Sequence, residues 1–176
     1  KTRPISAEHE KQVFSKILVC IQKGYIILTP NALIQNYIDY FAVDKGATDI
    51  RVVYNGASCG LNASLFASSF WLPTSKSITR FLSFGYKSVD LDIGEMFPNF
   101  PLHESLRSFS GVDLTQFKNR LGPILPPILR PNNRISGAWT RLWFGMKNSP
   151  ELAVTYYYLA EEFIRGNHQD LSNPLR

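Results

Sequence analysis

The chain has 176 residues, 44% of them hydrophobic and 19% charged, the composition of one folded domain with a real core and not of a disordered tail. Its formal charge of +5 favours a polyanionic partner. No apolar run reaches the roughly 18 residues of a membrane span, and three scattered histidines argue against zinc.

Lys1 in place of a start methionine reads as a piece of a longer or processed chain. "KTRP" leads into no signal-peptide core, so an intracellular location, cytoplasmic or nuclear and not secreted, is expected. Cys20 and Cys59 form no C-x-x-C pair and read as free thiols of a reducing compartment. In "EKQVFSKILVCIQKG" the spacing of Val13, Ile17, Leu18 and Ile21 predicts an amphipathic helix over 7–23, stopped by Gly24. "YIDYFAV" and "IRVVY" flank the turn formers of "DKGATD", which predicts a β-hairpin over 37–54.

"GLNASLFASSFWLPT" reads as irregular chain, and "SKSITRFLSF" as a short helix with Ile78, Phe81 and Leu82 on its apolar face. "SVDLDIGEMF" alternates polar and apolar residues and predicts a strand over 87–93. A short helix is expected in "PLHESLRSFSG". The four prolines of "LGPILPPILRPNNRISG" predict an extended connection or ribbon rather than a helix. "SPELAVTYYYLAEEFIRG" predicts a helix over 149–165, with Ser149 as N-cap, Pro150 in the first turn and Gly166 as the stop.

The chemistry starts from Asp90 and Asp92, which share one face of that predicted strand. Two carboxylates so placed can meet one hard cation such as Mg²⁺, although a bare D-x-D is more often a solvated strand edge. Lys45 and Arg51 on the hairpin, and the glycine and lysine of "LWFGMKNSPELA" ahead of a helix, add cationic and phosphate-tolerant elements.

In order and spacing these segments resemble the reverse transcriptases, the RNA-directed DNA polymerases of retroelements and retroviruses. "FAVDKGATDIRVVYNGASCGLN" is similar to the family's fingers hairpin, "WLPTSKSITRFLSFGYKSVDLDIGEMFPNFPL" to the approach to its first catalytic strand, and "FGMKNSP" to the "FGLKNAP" of long-terminal-repeat elements. The resemblance spans roughly residues 40 to 165. It implies an α+β fold, a right-hand polymerase with fingers over about 1–86 and part of the palm over about 87–176. The palm would be an incomplete antiparallel sheet packed on helices.

The resemblance also implies roles. Asp92, not Asp90, is the catalytic residue and metal ligand, with the main-chain carbonyl of Ile93 as a further ligand and Leu91 and Ile93 packed behind. Lys45 and Arg51 hold the triphosphate of a deoxynucleotide. Phe97 sits under the sugar, where a ring would exclude a ribose 2′-hydroxyl; an ordinary core aromatic is the alternative. Phe144 and Gly145 complete the nucleotide site, the glycine letting backbone approach the ligand. Lys147, Ser149 and Asn62 fall to template or primer, with plain helix entry as the alternative for the first two. Mg²⁺, with Mn²⁺ as a substitute, is the implied cofactor, and an RNA or DNA template with its primer the implied partner.

Two departures stand out. Asn55 replaces an aspartate frequent after "RVV", and the family's second catalytic strand, an aromatic two residues before Asp-Asp, is absent from these 176 residues. The chain alone is therefore expected not to polymerise. Two rivals remain open: a non-catalytic nucleic-acid-binding remnant of a retroelement, and a D-x-D glycosyltransferase, which requires alternating strands and helices around a nucleotide. The "NAS" sequon at Asn62 reads as chance without a secretory signal.

Overall fold

In a computed structural model of the chain, the described residues are 5–80, 82, 84–85, 87, 92–129, 134–167 and 169–173, the side chains of Ala7 and Ile124 excepted. Helix α1 spans Ala7–Gln22. Ser6 caps it by accepting the His9 amide hydrogen at 3.3 Å, and Glu8 and Glu10 lie at its positive end. Strand β1 (Ile26–Leu28) follows. Strands β2 (Asp39–Lys45) and β3 (Asp49–Asn55) then form the expected hairpin, closed by Lys45 opposite Asp49. Four short elements come next: α2 (Leu61–Ser64), α3 (Ser75–Thr79), α4 (Glu104–Arg107) and β4 (Gly111–Asp113). Helix α5 (Lys118–Leu121), β5 (Ser136–Trp139) and α6 (Ser149–Arg165) complete the chain.

Strand β5 is the middle of a three-stranded antiparallel sheet ordered β1-β5-β4, and all four of its residues are buried. Its two neighbours come from sequence positions about 85 residues apart, so the sheet ties both halves of the chain together. One core fills the space between this sheet, α1 and the hairpin. Val13 and Ile17 enter it from α1, Tyr40 and Tyr54 from the hairpin, and Trp143 from the turn before α6. Tyr54 meets Trp139 edge-on at 5.0 Å between ring centroids, and burying each such side chain contributes about 1.5–3 kcal/mol. The C-terminal half of α6 buries little: Leu159, Phe163 and Ile164 are exposed.

The structure corrects several expectations. Lys87, Asp92 and Ile93 are irregular backbone and not strand, while Asp90 and Leu91 lie outside the described residues. A strand needs a neighbour to satisfy its amides, and no paired strand reaches residue 92 or 93. Ile93 is exposed and does not pack behind the aspartate.

The proline-rich stretch holds two single 3₁₀ turns, Gly122–Ile124 and Pro127–Leu129, instead of an extended ribbon. Proline's fixed φ suits a 3₁₀ turn as well as an extended chain. Helix α3 stops at Thr79, Ile78 and Leu82 are exposed, and Phe81 lies outside the described residues. Asn148, not Ser149, is the N-cap of α6, because the buried Ser149 hydroxyl donates to the Trp143 carbonyl at 2.9 Å. Helix α2 interrupts the stretch read as irregular. Both cysteines are free thiols.

Candidate nucleotide cleft

A cleft of about 810 Å³ opens along the outer edge of β3. The hairpin supplies Lys45, Arg51 and Val53 to it, α1 supplies Lys16 and Val19, and the turn before α6 supplies Phe144 and Gly145. In the hairpin register Lys45 faces Asp49 and Arg51 faces Val43, which puts Lys45 and Arg51 on one face of the ribbon. Two cations predicted to hold a triphosphate therefore share a wall with the two "FG" residues predicted to sit beside it.

The segment that follows Asp92 also lines the cleft. Glu95 and Pro98 line the cleft; Asp92 itself is exposed and lies three residues before Glu95. Glu95 is the one non-glycine residue with positive φ, 53°, among the described residues. Its carboxylate accepts from Lys23 Nζ at 2.6 Å and from the Tyr25 hydroxyl at 3.0 Å. The Lys23 ammonium, helped by Tyr25, holds the Glu95 carboxyl below the ordinary glutamate range. Cys20, beside them, has its thiol pushed up to about 11, mainly by burial and then by Glu95, so it is no thiolate nucleophile at neutral pH. Phe97 stands directly behind Phe144, with ring centroids 4.6 Å apart and planes tilted by 56°.

Of the residues assigned to template or primer, Lys147 is exposed, Asn62 half-buried and Ser149 buried. The Asn62 side chain donates to the Gly145 carbonyl and accepts from the Lys147 amide, both at 2.9 Å. Lys147 Nζ donates to the Leu65 carbonyl at 3.0 Å and is not in the cleft wall. Lys45 and Arg51 line the cleft, and neither Lys147 nor Asp92 is among its lining residues. Gly145, at φ +106°, has a second reason to be glycine. A Cβ there would lie 1.9 Å from the Tyr54 carbonyl oxygen, so its freedom lets the turn approach β3.

Among the described residues no group of three His, Cys, Asp or Glu side chains could hold a metal. Sequence reasoning missed Lys16, Lys23, Tyr25 and Glu95. The first looks like any solvated helix lysine, and the other three meet only across some 70 residues of sequence.

No protein-family model matches the chain, and no curated protein does. Among solved structures it is similar to a foamy viral protease-reverse transcriptase determined in complex with double-stranded DNA, at 16% identity and a TM-score of 0.66. The match covers 94% of this chain and about a quarter of that one. At this identity the likeness is one of fold: the chain is built like part of a retroviral reverse transcriptase.

Proposed function

We propose that this chain is the fingers and part of the palm of a retroelement RNA-directed DNA polymerase, which adds deoxynucleotides to a primer on a nucleic-acid template. The observation that carries the reading is the convergence of Lys45, Arg51, Phe144 and Gly145 on one cleft, beside the turn that follows Asp92. Lys45 offers a point charge and Arg51 a bidentate fork to a triphosphate. The Phe97–Phe144 pair offers an aromatic wall to the sugar and base. The antiparallel sheet gives no support to the glycosyltransferase rival, which requires a parallel, alternating fold.

Asp92 and the Ile93 carbonyl do not by themselves make a Mg²⁺ site. We place that metal, with Mn²⁺ as a substitute, in the whole polymerase, where further carboxylates would complete the ligand set. One observation favours the second reading, a nucleic-acid-binding remnant without turnover: Asp92 is exposed, outside any strand and in no acidic cluster among the described residues.

The double-stranded DNA held by the structural neighbour, together with the +5 charge, suggests the test. Fluorescence anisotropy with a labelled primer–template should show affinity falling steeply with salt as bound counterions are released. Binding that ignores salt, or no binding at all, contradicts the reading.

A further inference from the structure

We propose that Lys16 of α1 is a third phosphate-binding cation of the cleft, and that a bound polyphosphate takes it from its ion pair with Asp49. The inference rests on reading the cleft as a polyphosphate site, and adds a wall that neither the hairpin nor the segment after Asp92 provides.

Lys16 lines the same cleft as Lys45 and Arg51 but comes from a different element. Its neighbours Val13 and Ile17 are fully buried, which fixes the helix while the flexible lysine stem reaches the rim. Lys16 Nζ lies 2.9 Å from Asp49 Oδ1. Asp49 is also the register partner of Lys45 and stands two residues before Arg51 on the same ribbon face. Lys16 is thus the ion-pair partner of Asp49, and Lys45 stands opposite it in the hairpin register. Lys16 first, then the Ile50 amide, and least of all Lys45, hold its carboxyl below the ordinary aspartate range.

The pair is easily opened. Its side chains are 41% and 49% exposed, and such pairs contribute little in water. A ligand with several negative charges in the cleft has Lys16, Lys45 and Arg51 on its walls and outcompetes a single carboxylate. Glu95, an anion lining the same cleft, does not repel it strongly, because Lys23 and Tyr25 already engage its charge.

The test is calorimetric titration of the whole chain with inorganic tripolyphosphate at low salt. Lys16→Gln and Lys45→Gln should each weaken binding roughly 5- to 10-fold, the scale of one charge-assisted hydrogen bond. Lys16→Arg should restore most of the loss, and Lys11→Gln, an exposed lysine of the same helix outside the cleft, should change nothing. Asp49→Asn, by removing the competitor, should tighten binding. If Lys45→Gln weakens binding while Lys16→Gln does not, Lys16 is only a staple between α1 and the hairpin, and this proposal falls alone. If the unmodified chain does not bind tripolyphosphate, the polyphosphate reading of the cleft falls with it.

Discussion

The turn at 143–149 enters the cleft from a buried base, whereas the turn at 92–97 reaches it from the surface. The first is fixed by Trp143 and Met146 in the core, by the Ser149 hydroxyl on the Trp143 carbonyl, and by both polar atoms of the Asn62 amide. The second has exposed residues from Asp92 to Glu95, and the Glu95 carboxylate on Lys23 and Tyr25 is its main polar anchor. Core packing and the buried Ser149 hydrogen bond hold one position closely, while exposed ion pairs are weak and exchange with water. The wall expected to meet the nucleotide is therefore preformed. From Asp92 to Glu95 the second turn is exposed and held by the Glu95 ion pair, and only at Phe97 does it pack on Phe144 and the core.

Substitutions that add a methyl group to each turn should break this comparison most sharply. Gly145→Ala places a Cβ against the Tyr54 carbonyl in a backbone conformation that side chains resist. It should destabilise the chain by about 3 kcal/mol or more in urea denaturation. Gly94→Ala meets nothing within 4 Å, and its effect should stay within about 0.5 kcal/mol. Equal costs would mean that the two turns are held alike.

A smaller effect is expected from Asn62→Ala, which strips the clamp from the Gly145 carbonyl and the Lys147 amide without opening the core. Its cost should be about 1–2 kcal/mol by the same denaturation. A value near zero would remove Asn62 from the description of the preformed wall.

The least effect belongs to Glu95→Gln. The Glu95 carboxyl titrates below its ordinary value in the folded chain because of Lys23, so the folded state binds that proton less readily than the unfolded one. Its stabilisation is present above the ordinary glutamate value and is lost as pH falls through the lower folded value. Denaturation of both proteins at pH 7 and pH 3 should show a small deficit of the variant at pH 7 that shrinks at pH 3. A deficit unchanged at pH 3 would mean that charge is not what tethers the turn.

Much of this arrangement could be read from sequence wherever local rules decide. Helix α1, helix α6 and the β2–β3 hairpin follow from periodicity, caps and turn residues. The hairpin register alone puts Lys45 and Arg51 on one face. Strands β1, β4 and β5 have three or four residues each and show no period long enough to detect; they exist because they pair with one another. The alternation through Asp92 predicts a strand for the opposite reason, since a pattern cannot say whether a partner strand is there. Ser149 and Asn62 read as groups offered to nucleic acid. Their hydrogen bonds run inward to carbonyls and amides that only the folded turn exposes.

The central claim is that this cleft receives a nucleoside triphosphate. Its most direct test is residue-resolved NMR of the labelled chain titrated with a deoxynucleoside triphosphate and Mg²⁺. The largest shifts are expected at Lys45, Arg51, Phe144 and Gly145, with smaller ones along 92–97. Shifts confined to surfaces away from the cleft, or none at saturating nucleotide, would contradict it.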